Sequence, residues 1–417
     1  MTTGAPTAQD RHRFRALDGL RGVAALLVVL LHVEWSNHLT NNKFVQNGYV
    51  AVDLFFILSG FVIASNYSHR ITNFREARSF IGLRFFRLYP LHLTMLCAFI
   101  CLEYAKLFAQ RTFALMPGAQ APFTGGDSFG AAVANLFLLN GLHALNRPSW
   151  NGASWSISCE FAAYLVFSVL VLAGLVRSRL FFVGGTLMAV TGYVGLAFER
   201  GNLNITVDWG IIRCLAGFFL GMLIFRFRET DIPCRSRMVT DAFGIAAMIA
   251  AVLTMSLTSG PFIVLVIPIF VIGIAFLQTD QGALARFLIS SPMQFLGRIS
   301  YSIYMVHSFL VVCLLIVLKR LFVLPSAVNS MRENPIVMVN LWVGDLLVLG
   351  TVALVVATAS ATYAFVEEPG RLFGRGIFAS SQNPGPTPAS PRLIRSNHPP
   401  AEVNLDIAGR PDRRFSP

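Results

Sequence analysis

Long apolar runs alternate along the chain with short breaks rich in Arg, Gly and Pro. Ten runs approach the roughly 20 residues with which a helix crosses a bilayer: about 17–35, 48–66, 88–107, 155–176, 180–198, 210–226, 241–257, 261–277, 296–318 and 337–365. A further run, Ala131 to Leu142, is shorter, and parity decides its role. If it crossed, the loop holding Arg226, Arg228, Arg235 and Arg237 would face outward, against the positive-inside bias. It is therefore read as a re-entrant or interfacial helix. The Arg-rich loops 67–87, 177–179 and 226–237 then share the inner side with both termini. The pattern predicts an all-α fold, a polytopic membrane helical bundle of about ten transmembrane helices with both termini cytoplasmic.

Composition points the same way. Of 417 residues 55% are hydrophobic and 13% charged, and 36 are Phe. A soluble domain carries about 25% charged residues and could not hide this much apolar surface. The formal charge of +12 is explained by basic inner loops, and no basic module interleaved with aromatics suggests nucleic acid. Six cysteines form no CxxC pair, so neither a zinc site nor a redox motif is expected. Arg11, Arg13 and Arg15 precede the first run and no small-residue cleavage site follows it, which predicts an uncleaved first span. The chain divides into a cytoplasmic segment 1–13, a membrane domain 14–372, and a tail 373–417. That tail, with Pro384, Pro386, Pro388, Pro391, Pro399 and Pro400, reads as disordered and cytoplasmic.

Ionisable residues inside apolar runs are costly and mark functional positions. The first run reads Leu17-Asp18-Gly19-Leu20-Arg21-Gly22 and continues to Leu31-His32. Arg21 and His32 are separated by three helical turns plus about 20°, so they share a face, ~16 Å apart along the axis. A structural histidine bonded to a neighbouring helix accounts equally well for His32 alone. The second run holds Asp53, and its Ser59-Gly60 pair allows close backbone approach. In Arg84-Phe85-Phe86-Arg87-Leu88-Tyr89-Pro90 the two arginines stand at i, i+3, at the cytoplasmic mouth of the third span. Two guanidinium forks there suit phosphates, while membrane anchoring is the plainer explanation.

Ser156, Glu160 and Tyr164 form a polar stripe at i, i+4, i+8. A carboxylate this deep needs a proton or a partner, and a structural pairing with Arg or His is the bland alternative. In Gly297-Arg298-Ile299-Ser300-Tyr301-Ser302-Ile303-Tyr304-Met305-Val306-His307, Ser300, Tyr304 and His307 line one face. That face suits a polar cavity or an interhelical hydrogen-bond seam. Pro369 and Gly370 are expected to stop the last helix after Glu367-Glu368.

The order of these segments resembles the membrane-bound acyltransferase family 3, bacterial glycan O-acyltransferases, across about residues 14–372. LDGLRGVAALLVVLLH, VDLFFILSGF, RFFRLYP, WSISCEF and GRISYSIYMVH carry the likeness. The resemblance implies His32 as the essential histidine, with Arg21 as its basic partner. It implies Arg84 and Arg87 as the acyl-CoA-binding pair and Glu160 as the acidic position of a Ser-x-x-x-Glu segment. Ser300, Tyr301 and His307 match a segment of less defined role, and Tyr304 joins them as a candidate substrate contact. Glu160 or Asp53 is expected to orient the imidazole. Departures are Cys159, where many relatives have an aliphatic residue, and Met305-Val306 in place of Leu-Trp.

The implied activity is transfer of an acyl group, most often acetyl, from acyl-CoA to a hydroxyl of a surface or exported carbohydrate. The expected setting is the inner (plasma) membrane, with lipids as neighbours, no nucleic acid, no metal and no permanently bound cofactor. A transporter and a haem cytochrome using His32, His92 or His307 are the competing readings; the latter requires axial ligands at facing depths.

Overall fold

The computed structural model describes residues 14–113, 121–229, 237–327 and 335–378. The expected cytoplasmic segment 1–13 and the tail from 379 onward lie outside these, as does Cys234. The helices in chain order are α1 (Arg15–Leu31), α2 (Lys43–Gln46), α3 (Ala51–Tyr67), α4 (Phe74–Phe113), α5 (Phe129–Leu136), α6 (Trp155–Leu172), α7 (Arg179–Arg200) and α8 (Gly210–Glu229). They continue with α9 (Arg237–Leu257), α10 (Val266–Leu277), α11 (Ala283–Ile289), α12 (Ser291–Arg298), α13 (Ser300–Ile316), α14 (Leu341–Thr362) and α15 (Glu368–Phe378). One two-residue strand pair, Ser326–Ala327 with Ile336–Val337, is the sheet among the described residues.

Nine helices among the described residues are long and apolar enough to cross a membrane. The 17-residue α1 is not one of the nine but packs against them, its Ala16, Leu17, Ala25, Val28 and Val29 fully buried. The protein is a multi-pass membrane protein. α5, eight residues and about 12 Å long, cannot cross, in keeping with a short non-spanning piece at 131–142.

α3 is the spine of the bundle and packs along α8 at close range. A Cβ at Gly60 would fall on the Phe218 carbonyl, and one at Gly221 on the Ile57 carbonyl, so glycine on both helices sets the spacing. Ser59-Gly60 thus has the close approach expected of it.

Three boundaries differ from the sequence expectation. The helix of the third span begins well before 88: α4 starts at Phe74 and carries Arg84 and Arg87 inside it, because Arg, Glu and Phe here all propagate a helix. Pro90 sits within α4, and its carbonyl accepts the hydroxyl of Thr94. The segment 296–318 turns a corner at Ile299, where α12 ends and α13 begins. Pro369 and Gly370 do not stop the last helix. A π turn at Tyr363–Glu367 leads into α15, which runs to Phe378 with Pro369 in its first turn, where a missing N–H costs nothing. α15 is held to the start of α4 by Ser79 Oγ, which donates to the Phe378 carbonyl at 2.8 Å.

Candidate active site

α1, α3, α4, α6 and α13 line one cavity that opens to the outside of the bundle. Arg21, Arg84, Arg87, Glu160, Ser300, Tyr301 and Tyr304 all line it, together with Ser59, Ser156 and Tyr164. Phe55, Phe56, Val52, Ile63, Leu88 and Ile157 supply apolar wall. Seven candidate residues from four separate helices therefore converge on one space.

The charge in this cavity is unbalanced. Arg84 donates through Nη2 to the Tyr67 hydroxyl at 2.9 Å, and its guanidinium lies 4.9 Å from the Tyr67 ring centroid. Its Nε is buried without a hydrogen-bond partner among the described residues. Arg21 has Asp18 at 3.9 Å. Among the described residues neither Arg84 nor Arg87 has a carboxylate within 4.0 Å. Three guanidinium groups thus face a space lined by one carboxylate, Glu160. A cation in a low-dielectric wall without a counterion is destabilising, so this site favours an anion.

Glu160 is fixed by its own helix and by the spine. Its Oε1 accepts from the Ser59 hydroxyl at 2.6 Å and from the Tyr164 hydroxyl at 2.5 Å. Spacing of i, i+4 on α6 brings Tyr164 to it. Across the cavity, Tyr301 donates to the Leu88 carbonyl at 2.6 Å and Ser300 to the Gly297 carbonyl at 2.9 Å. Tyr304 stands between, 2.8 Å from Ser156 Oγ and 3.0 Å from the Ala153 carbonyl.

His32 and His307 are brought to each other, beside the cavity and not among the residues lining it. His32 caps the C-terminus of α1, and its Nδ1 lies 2.8 Å from the Val28 carbonyl. Its ring centroid is 4.8 Å from that of His307, and the His307 ring is 5.8 Å from that of Tyr304. Tyr304 is thus the wall shared by the cavity and the histidine pair.

The profile of the acyltransferase domain family matches residues 14–364. The chain belongs to acyltransferase family 3. The candidate membrane-bound transacylase BcsY of Komagataeibacter xylinus is 25% identical over 303 residues, 71% of this chain and 72% of its own. The acyltransferase MdmB of Streptomyces mycarofaciens is 27% identical over 328 residues, 71% of this chain and 78% of its own. The O-acetyltransferase OatA of Staphylococcus aureus (strain NCTC 8325 / PS 47) is 24% identical over 394 residues, covering 87% of this chain and 58% of OatA. No solved structure matches. This protein is a membrane-bound acyltransferase.

Within the acyltransferase, Asp53 is not brought to His32. Its Oδ1 accepts from Arg213 Nε at 2.7 Å and from the Tyr193 hydroxyl at 3.0 Å, and its Oδ2 accepts from Arg213 Nη2 at 2.6 Å. The expectation that Asp53 orients the imidazole is therefore corrected: the carboxylate is occupied by a buried guanidinium on α8, and the Val28 carbonyl holds His32 Nδ1. Arg213 falls inside the apolar run 210–226, which holds no carboxylate of its own. The usable signal was that a mid-span arginine demands a mid-span carboxylate.

One further pair was missed. Ser302, between the quoted Tyr301 and Ile303, donates to Glu367 Oε2 at 2.7 Å, and both are buried. His92 is also buried, its Nε2 2.9 Å from the Asn135 carbonyl of α5, apart from the His32–His307 pair. Among the described residues no three His, Cys, Asp or Glu side chains are grouped to hold a metal.

Proposed function

We propose that this acyltransferase moves an acyl group, acetyl foremost, from acyl-CoA to a hydroxyl of a surface or exported carbohydrate. The observation that carries the reading is the cavity in which Arg21, Arg84 and Arg87 outnumber Glu160. An electropositive chamber inside a membrane bundle suits a polyanionic donor whose phosphates supply the absent countercharge. Supporting the acceptor class is the likeness to OatA, an O-acetyltransferase.

In this mechanism Arg84 and Arg87 hold donor phosphates from the cytoplasmic side, the end of the bundle carrying Tyr67 and Phe74. The donor's arm runs past Tyr304 and sets its thioester beside His32. A carbonyl only accepts, so with Nδ1 on Val28 the neutral His32 ring keeps its proton there and offers the Nε2 lone pair. That lone pair takes the acceptor hydroxyl's proton as the oxygen attacks the thioester carbon. Arg21 stabilises the negative charge that develops on the donor.

The test is the acyl content of the host's surface glycans by mass spectrometry. A deletion strain is compared with strains complemented by wild type and by His32→Ala at matched membrane levels. The deletion loses acyl mass and wild type restores it, whereas His32→Ala restores about a hundredth or less of the initial rate. Full restoration by His32→Ala rejects the base assignment. Unchanged glycans in every strain reject the carbohydrate acceptor.

A further inference from the structure

A second recess opens at the end of the bundle that carries Tyr67 and Phe74, and it shares no lining residue with the cavity described above. Gly174, left-handed at φ +71°, follows α6 and turns the chain into a single 3-10 turn, Leu175–Arg177. The turn brings Arg177 to the recess, where it meets His69, just past α3, and Arg226, near the end of α8. His69 and Arg177 are exposed and Arg226 is half-buried, so the basic side chains form a rim. Buried Ala64, Phe167, Phe182 and Met222 form the floor. The Ser68 hydroxyl, also at the recess, donates to the Ala64 carbonyl at 2.7 Å. Among the described residues no Asp or Glu lines this space.

Positive-inside bias explains basic residues spread over inner loops. It does not explain three of them, from three separate segments, converging on one recess that holds no carboxylate. Cations facing one space repel each other and favour an anion between them. The apolar floor narrows the choice of anion. A small soluble anion would use the rim and leave Phe167, Phe182 and Met222 wet. On the same helices and turn, Leu172, Leu175, Leu180 and Val183 are exposed, so the recess borders the lipid-facing surface. A phospholipid supplies a phosphate for the rim and hydrocarbon for the floor together.

We propose that this recess is a phosphate-binding site that takes the head group of an anionic phospholipid from the cytoplasmic leaflet. Arg177 and Arg226 hold the phosphate with His69 beside them, and the first carbons of an acyl chain cover Phe167, Phe182 and Met222. The site is independent of the acyl-CoA reading. The Phe80 ring stands between the two spaces, 5.8 Å from that of Phe167 at the recess and 6.0 Å from that of Tyr164 at the cavity. A lipid seated in the recess therefore leaves the cavity to its own ligand.

The experiment uses the purified full chain in nanodiscs of equimolar phosphatidylcholine and phosphatidylglycerol, and native mass spectrometry reads the lipid each chain retains. Wild type retains phosphatidylglycerol in preference to phosphatidylcholine. Arg177→Gln and Arg226→Gln each reduce that preference about five- to tenfold. Arg179→Gln removes the same charge two positions from Arg177 but outside the recess, and it leaves the preference unchanged. Equal retention of the two lipids by wild type overturns the proposal. So does a loss in Arg179→Gln as large as in Arg177→Gln, which would mean attraction to the whole basic surface. Arg177 is exposed on a turn, so Arg177→Gln carries the test even where Arg226→Gln fails to fold. A second arm separates the lipid from a soluble phosphate. In nanodiscs of phosphatidylcholine alone, added inorganic phosphate leaves the thermal unfolding midpoint unchanged. A midpoint that rises with inorganic phosphate in wild type and not in Arg177→Gln assigns the recess to a soluble anion and overturns the lipid as its occupant.

Discussion

Among the described residues the bundle contains two buried clusters of arginine and carboxylate, and they are built to opposite ends. At the Asp53–Arg213 cluster the account is closed. Arg213 gives Nε and Nη2 to the two carboxylate oxygens, Nη1 to the Ile205 carbonyl at 2.8 Å and Nη2 to the Tyr49 carbonyl at 2.7 Å. Its side chain is 1% exposed and that of Asp53 0%. In the cavity, three arginines meet one carboxylate, Arg84 Nε has no partner among the described residues, and open space remains. A satisfied ion pair fixes α3 to α8 and has nothing left to offer a ligand. An unsatisfied set is tolerable only where a ligand completes it. Satisfaction, not burial or charge, separates architecture from site.

The largest expected effect breaks the closed cluster. Asp53→Ala or Arg213→Ala leaves an uncompensated buried charge and costs about 3–5 kcal/mol. The measurement is folded protein recovered from membranes together with its thermal unfolding midpoint. A double Asp53→Leu, Arg213→Met variant should recover most of that loss, because the pair's desolvation cost disappears with it. A wild-type midpoint in either single variant would remove the distinction between the clusters.

The open cluster should respond the other way. Arg84→Ala and Arg87→Ala remove charge-assisted hydrogen bonds to the donor, each about 1.5–3 kcal/mol, or tenfold to a hundredfold in acyl-CoA Kd. The unfolding midpoint without donor should stay within roughly 2 °C of wild type, since no protein carboxylate loses a partner. Isothermal titration with acetyl-CoA on the purified full chain measures the first and a thermal ramp the second. Unchanged affinity in the double variant sinks the donor assignment.

How far the sequence reveals these two clusters follows from what each depends on. The spans were legible because hydropathy reports lipid contact directly, and the cavity set was legible because Arg84/Arg87 and Ser156/Glu160/Tyr164 recur at helical spacing on one face. Pairing across helices was not legible. Asp53 and Arg213 are 160 positions apart and no local periodicity joins them. His32 and His307 each lie on a recognisable face, yet only the crossing of α1 with α13 decides that they face one another and not the cavity. Helix ends were also missed where breakers are harmless: Pro369 falls in the first turn of α15 after a π turn, a position that sequence alone does not distinguish from a stop.

The smallest effect is the sharpest, because it has a sign. Glu160 lines the cavity like the arginines, and its hydrogen bonds resemble those of Asp53: Oε1 takes both Ser59 and Tyr164. Glu160→Gln keeps an oxygen that accepts both hydroxyls, so geometry is preserved and only the charge is lost. If Glu160 belongs with the open cluster, removing the one lining anion makes the chamber more positive. Acetyl-CoA Kd then tightens by about three- to tenfold, opposite in sign to the arginine variants. The unfolding midpoint stays put, because no guanidinium loses a bonded partner. If Glu160 were instead a counterion of the Asp53 kind, the same variant would strand a cation, lower the midpoint and leave Kd where it was. Titration and a thermal ramp on one purified variant therefore assign this carboxylate to one cluster or the other.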